Sequence, residues 1–183
     1  MNKMNKRNLK ISLILNAIIV FLTLLSSIIM ITGFKFMHGK DIVLNTTKLG
    51  VLKFFTVQSN IFMGIMSLIF LFYEIAIIKN KKTEIPLKLY ILKLMSTAAV
   101  GLTFFVVFAY LGPISKDGIF SLLMNSNLFF HLIIPLLSII TFIFFEKTNS
   151  IIFKYTFLGI LPPIIYGIYY ITNVVYCQEF YKI

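Results

Sequence analysis

The fold is decided by the first apolar run of the chain, ISLILNAIIVFLTLLSSIIMITGF at residues 11–34, in which no side chain is charged. A helix rises about 1.5 Å per residue, so about 20 apolar residues cross the ~30 Å hydrocarbon layer of a bilayer. The run follows Lys3, Lys6, Arg7 and Lys10. It is longer than the apolar core of a signal peptide, so we expect an uncleaved first membrane helix.

Four further charge-free runs follow, at residues 54–73, 94–115, 118–145 and 155–178. The chain of 183 residues is 59% hydrophobic and only 13% charged. Because a soluble domain carries about 25% charged residues, this composition excludes both a disordered chain and a conventional water-soluble fold. Lipid offers no hydrogen-bond partner to the backbone, and a helix satisfies its own N–H and C=O groups.

The sequence therefore predicts an all-α, polytopic transmembrane bundle that forms a single domain over residues 1–183. Its five spans are expected at about residues 11–34, 54–76, 91–113, 128–145 and 155–178. The fourth run is too long for one span, and the break at 125–127 (Asn-Ser-Asn) makes 118–124 a short interfacial segment. Pro162 and Pro163 predict a kink in the fifth span. Small residues over 96–103 predict a buried face of the third span.

The net charge of +11 comes from basic residues between the apolar runs. More of them fall in the N-terminus and the second and fourth loops than on the other side, with Lys88 and Lys93 counted in the second loop. The positive-inside rule then predicts a cytoplasmic N-terminus in a multipass protein of the cell membrane. We expect this surplus charge to contact anionic membrane lipids, and no nucleic acid.

Cofactor motifs are absent from the sequence. Cys177 is the one cysteine, which excludes an intrachain disulfide and a cysteine-rich metal site. There is no His-Glu-x-x-His motif, no phosphate-binding loop and no GxGxxG. We therefore expect no metal and no other cofactor.

Polar residues inside the predicted spans are the candidates for chemistry, because they are costly in lipid. Thr56, Ser59 and Asn60 share one face at the start of the second span. His131 lies among apolar residues near the start of the fourth, whereas His38 is expected to be solvated in the first outer loop. Both have a plain structural alternative: hydroxyls that bond their own backbone, and an imidazole that bonds a neighbouring helix.

Thr56 and His131 are predicted to lie at the same depth in the membrane. Thr56 lies three residues inside Lys53 and His131 four residues inside Asn127, so each is roughly 5–6 Å below the outer end of its span. A hydroxyl and an imidazole at one level can act as nucleophile and general base. Glu74, about 27 Å from Thr56 along the same helix, is too far away to complete a triad.

Three stretches resemble the androgen-induced protein family and its bacterial relatives: FTVQSN at 55–60, TFFVVFAYL at 103–111 and NLFFHLIIP at 127–135. The bacterial members are usually described as six-span membrane proteins of unassigned role. Animal members are threonine hydrolases that cleave fatty acid esters of hydroxy fatty acids. The resemblance implies that Thr56 is the nucleophile and His131 its base, with an acyl ester as substrate.

Three neighbouring residues are candidates for supporting roles in such a site. Asn127, one turn before His131, would orient the ring, and Ser59 or Asn60 would donate a hydrogen bond to an oxyanion. The alternative function is a non-enzymatic membrane protein, such as a small transporter subunit or an assembly factor.

Overall fold

Five long helices make up the chain in a computed structural model, which describes residues 5–37, 48–146 and 151–174. The helices are α1 (Lys6–Thr32), α2 (Phe55–Ile78), α3 (Leu87–Ile114), α4 (Ser126–Phe145) and α5 (Phe153–Thr172). Each is long and apolar enough to cross a membrane, and these described ranges contain no strand. The predicted all-α bundle with five spans is confirmed, and the chain is an integral membrane protein.

The first four helices surround one apolar centre. Helix α1 packs against α2 and α4, and α3 packs against α2 and α4. The centre contains Ile19 of α1, Met63 of α2, Val100 of α3, and Phe130 and Ile134 of α4. Large apolar side chains also cover the outside of the bundle, as expected for a surface that faces lipid.

Small residues set the closest helix approaches. Gly64 of α2 faces Thr23 of α1, where an added Cβ would lie 2.7 Å from Thr23 Cγ2. On α3, Ser96 and Ala99 are fully buried, which confirms the predicted buried face of small residues. In lipid, such side chains allow the backbones of neighbouring helices to approach each other.

Helix α5 lies outside the four-helix core and packs mainly against α3. Gly159 is the one buried residue in its described part, and it lies against Ala98. The helix begins with a 3-10 segment, Phe153–Ile160, and continues as an α-helix over Leu161–Thr172, so its geometry changes directly before Pro162. The last residues of the predicted fifth span, with Cys177, lie outside the described residues, as does His38.

The placement of Lys93 in the second loop is wrong. Helix α3 begins at Leu87, directly after Pro86, and Lys93 lies within it with no exposed surface. From the sequence alone, a lysine beside an apolar run fits either the end of a loop or the first turns of a helix. Lys93 is stabilised within the helix by hydrogen-bond partners on other helices, which the local sequence does not show. Lys88 also belongs to α3 but is exposed. The cytoplasmic location of the N-terminus stays a prediction.

The connection between α3 and α4 contains a short 3-10 helix, Ile119–Leu123. It occupies the segment expected to lie at the interface, and α4 then begins at Ser126. Asn125 joins this region to the end of α1, because its Oδ1 accepts hydrogen bonds from the backbone N–H groups of Phe36 and Met37, both at 2.8 Å.

Candidate functional site

His131 lies in a widened turn of α4. Residues Phe129–Ile133 form a π-helical turn, in which the backbone N–H of Ile134 donates to the carbonyl of Phe129. Single turns of this kind occur often at functional sites, because they displace a side chain from the regular helical path.

The hydrogen bond of the His131 ring determines its tautomer. Its Nδ1 lies 2.9 Å from the carbonyl oxygen of Leu122, in the short helix before α4. A carbonyl oxygen can only accept, so Nδ1 carries a hydrogen. In the neutral ring, Nε2 then has the free lone pair, which makes it the basic nitrogen.

The turn that contains Thr56 is adjacent to the turn that contains His131. Asn60 Nδ2 donates to the Thr56 carbonyl at 2.7 Å and to the Phe130 carbonyl at 3.1 Å, so it joins α2 to α4 one residue before His131. Ser59 Oγ donates to the same Thr56 carbonyl at 3.1 Å and lies 3.3 Å from Thr103 Oγ1. We call Thr56, Ser59, Asn60, Thr103 and His131 the outer cluster, after the side of the membrane on which the predicted topology places them.

Within the described residues, no hydrogen bond joins the Thr56 hydroxyl to the His131 ring, and none joins the Asn127 side chain to it. The Leu122 carbonyl occupies the orienting position that we expected for Asn127. Asn60 Oδ1 is buried and has no hydrogen-bond partner over residues 5–37, 48–146 and 151–174. Hydrogen bonds between catalytic groups are often long before substrate binds, so these contacts leave the catalytic pairing a prediction.

A second polar cluster lies at the opposite end of the bundle, at the level of the first turns of α1. Its six members come from four helices and have 0–1% of their surface exposed: Ser12, Asn16, Ser67, Glu74, Lys93 and Glu146. We call it the charged cluster. Sequence analysis missed it as a site.

Lys93 is the central donor of the charged cluster. Its Nζ donates to Asn16 Oδ1 and to Ser67 Oγ, both at 2.7 Å, and lies 3.6 Å from Glu146 Oε1. It also lies 5.1 Å from the centre of the Phe70 ring. Four helix segments thus meet around one ammonium group.

The carboxyl groups of Glu74 and Glu146 are contacted by the same two hydrogen-bond donors, Asn16 Nδ2 and Ser12 Oγ. Asn16 Nδ2 lies 2.8 Å from Glu146 Oε1 and 3.3 Å from each oxygen of Glu74. Ser12 Oγ is in hydrogen-bond contact with Glu74 Oε1 and lies 3.3 Å from Glu146 Oε1. Glu146 Oε2 is buried and has no hydrogen-bond partner among the described residues.

A widened turn also precedes Glu146. Over Thr141–Phe145 the helix is π-helical, and the Glu146 N–H donates to the Thr141 carbonyl at 3.0 Å. The last turn of α4 thus leads directly into this buried carboxyl, whose side chain contacts α1 and α3.

Comparison with known proteins finds no match: no family model, no curated protein and no solved structure is similar to this chain. The likeness to the androgen-induced protein family therefore stays a hypothesis that depends on the three quoted stretches.

Proposed function

We propose that the protein is a lipid-ester hydrolase of the threonine type, with Thr56 as nucleophile and His131 as general base. The observation that supports this most is the bond from His131 Nδ1 to the Leu122 carbonyl, because it leaves Nε2 as the basic nitrogen. Serine hydrolases prepare their histidine in the same way, with an acceptor on Nδ1 and the nucleophile at Nε2.

The reaction begins when Thr56 Oγ attacks the ester carbonyl carbon while His131 Nε2 accepts the hydroxyl proton. When the tetrahedral intermediate collapses, the ester C–O bond breaks and His131 returns the proton to the departing alcohol oxygen. Water then attacks the acyl-threonine, again losing a proton to His131. This proton passes to Thr56 Oγ as the carboxylic acid leaves.

The Leu122 carbonyl orients the ring but carries no formal charge. A carboxylate in that position would also stabilise the imidazolium that forms during the reaction. We therefore expect slower turnover than in an enzyme with a complete Ser-His-Asp triad.

The substrate class is a fatty acid ester of a hydroxy fatty acid, which would reach the site from the membrane lipids. Phe129, next to His131, is half-buried and supplies apolar surface for an acyl chain. Ser59 is a candidate donor to the oxyanion once its hydroxyl leaves the Thr56 carbonyl, to which it donates at 3.1 Å. Asn60 Nδ2 is engaged by two carbonyl groups, so Asn60 would first have to exchange those bonds.

The proposal is tested by hydrolysis of such an ester by purified protein in lipid nanodiscs. We expect Thr56→Ala and His131→Ala to abolish turnover. Matched controls are Thr32→Ala, an exposed threonine at the same end of the bundle, and His38→Ala, the other histidine of the sequence. Turnover that survives both site substitutions, or a folded wild type with no activity on a panel of lipid esters, would contradict the proposal.

A second candidate is the non-enzymatic one, a small transporter subunit. The observation that favours it is the charged cluster, because ionisable groups inside membrane helices commonly mark the routes of ions and substrates. Ester turnover by the purified protein separates the two functions, because a non-enzymatic subunit would show none.

A further inference from the structure

We propose that the charged cluster is a proton-binding site, in which Glu74 and Glu146 hold one proton between them through the Ser12 hydroxyl. The proposal does not depend on ester hydrolysis, because the charged cluster and the outer cluster lie at opposite ends of the bundle and share no residue.

Charge balance is the first argument. With every group ionised, Lys93, Glu74 and Glu146 would leave one uncompensated negative charge among side chains that are 0–1% exposed. A net charge in such surroundings is expensive, whereas a pair of opposite charges with hydrogen bonds is tolerated. One bound proton removes the excess.

The contacts of Ser12 are the second argument. Its hydroxyl oxygen is within hydrogen-bond distance of Glu74 Oε1 and Glu146 Oε1, and Asn16 Nδ2 lies 3.3 Å from it. A hydroxyl donates one hydrogen and accepts two, while an ionised carboxylate only accepts. With both carboxylates ionised, one of the two Ser12 contacts has no hydrogen. A proton on either carboxyl group supplies the missing hydrogen. The protonated carboxyl then donates to the Ser12 oxygen, and the Ser12 hydroxyl donates to the ionised carboxylate.

The unpartnered oxygen of Glu146 is the third argument. Glu146 Oε2 is buried and has no hydrogen-bond partner in the part of the chain that the structure describes, whereas the other three carboxyl oxygens each have at least one donor. An ionised oxygen in this position loses its hydration without replacement, which costs free energy. Protonation of the Glu74–Glu146 pair lowers that cost.

A proton fits this site better than a metal cation. The Lys93 ammonium already occupies the place between Asn16, Ser67 and Glu146 where a cation would be coordinated. No group of three acidic or histidine side chains exists among the described residues. A proton needs only one oxygen.

The other polar groups of the charged cluster, and the nearest phenol, come from α1, α2 and α3. They are Ser12 and Asn16 of α1, Ser67 of α2, Lys93 of α3 and, one turn away on α3, the phenol of Tyr90, which packs edge-on against Phe70. Among the described residues, Lys93 is the one cation that forms an ion pair with this carboxyl pair, through Glu146 Oε1 at 3.6 Å.

Infrared spectroscopy of the purified protein in nanodiscs tests the proposal, because a protonated carboxyl has a C=O stretching band separate from the bands of carboxylates and amides. At neutral pH we expect the wild type to show a band equivalent to one carboxyl per chain, which shifts in D2O. Glu74→Gln and Glu146→Gln each leave one Lys93–carboxylate pair that is neutral as a whole, so each should lose the band. Glu84→Gln, at an exposed position before α3, is the matched control and should keep it.

Lys93→Met gives the opposite change. It leaves two carboxyls without a cation, so we expect the band to double. A folded wild type without the band would overturn the proposal, as would a band that survives both glutamine substitutions. A band that disappears when sodium is added would assign the site to a metal cation and overturn it as well.

Discussion

Gly64→Ala tests the packing of α1 against α2, the contact that brings Ser12 and Asn16 of the charged cluster to Glu74. The new Cβ would lie 2.7 Å from Thr23 Cγ2 and 3.0 Å from Thr23 Oγ1, whereas ordinary contacts of this kind are 3.4–4 Å. The helices must therefore separate by several tenths of an ångström or Thr23 must change its rotamer. Overpacking of this kind costs about 1–3 kcal/mol.

The intrinsic preference of helices for alanine opposes that cost. Replacing glycine by alanine inside a helix gains about 1 kcal/mol, so we expect Gly64→Ala to lose between about 0 and 2 kcal/mol overall. Gly167→Ala is the matched control, because nothing lies within 4 Å of its added Cβ. Gly167→Ala should gain about 1 kcal/mol of helix stability without any overpacking cost. The Gly64 variant should therefore be less stable than the Gly167 variant by about 1–3 kcal/mol.

Unfolding by SDS, followed by far-ultraviolet circular dichroism in mixed micelles, measures both variants. Thr23→Ala supplies the second arm of a double-mutant cycle. It removes Cγ2 and a hydroxyl that has no hydrogen-bond partner among the residues described, so it should be tolerated alone and should recover part of the Gly64→Ala loss. Equal stabilities of the two glycine variants, or strictly additive effects of the Thr23 and Gly64 substitutions, would refute the close approach of α1 and α2.

Two further predictions concern the charged cluster and the topology. Lys93→Met should destabilise the protein by about 3 kcal/mol, because it leaves two buried carboxyls without their cation. Lys88→Met, at an exposed position of the same helix, should change the SDS midpoint little. Equal effects of the two substitutions would contradict the buried position of Lys93. A cytoplasmic N-terminus is tested by labelling single cysteines in a Cys177→Ser background. Lys116→Cys should react with a membrane-impermeant maleimide in intact cells, whereas Lys81→Cys should react only after permeabilisation. The reverse pattern would place the N-terminus outside.

The number of helices followed from the sequence because lipid imposes one simple condition, a charge-free run of sufficient length. The position of α4 followed from the polar break at Asn125, and the buried face of α3 from its small residues. The predicted third span begins at residue 91, four residues after the observed start at Leu87. Lys93 was counted with the loop charges, because a lysine in the first turns of a membrane helix resembles a lysine in a loop until its partners are known.

The charged cluster was missed because its contacts join residues that are far apart in the chain. Asn16 and Glu74 are 58 residues apart, and Asn16 and Glu146 are 130 apart. A usable signal was present: Asn16, Glu74 and Lys93 each interrupt an apolar stretch near the same predicted membrane surface. The depth comparison that related Thr56 to His131 applies equally to these residues.

The orientation of His131 could not be predicted, because it depends on a widened turn and a backbone carbonyl. Neither the π-helical turn at Phe129–Ile133 nor the position of the Leu122 oxygen has a residue pattern of its own in the sequence. Side-chain candidates such as Asn127 were therefore considered for a role that a main-chain atom occupies.

Reaction with a fluorophosphonate probe, followed by mass spectrometric mapping of the modified residue, tests the proposed chemistry most directly, since the probe forms a stable bond only with an activated hydroxyl. We predict modification of Thr56 in the wild type and none in His131→Ala, with both proteins folded by circular dichroism. Modification of Ser59 in place of Thr56, or no modification of a folded wild type, would contradict a threonine nucleophile activated by His131.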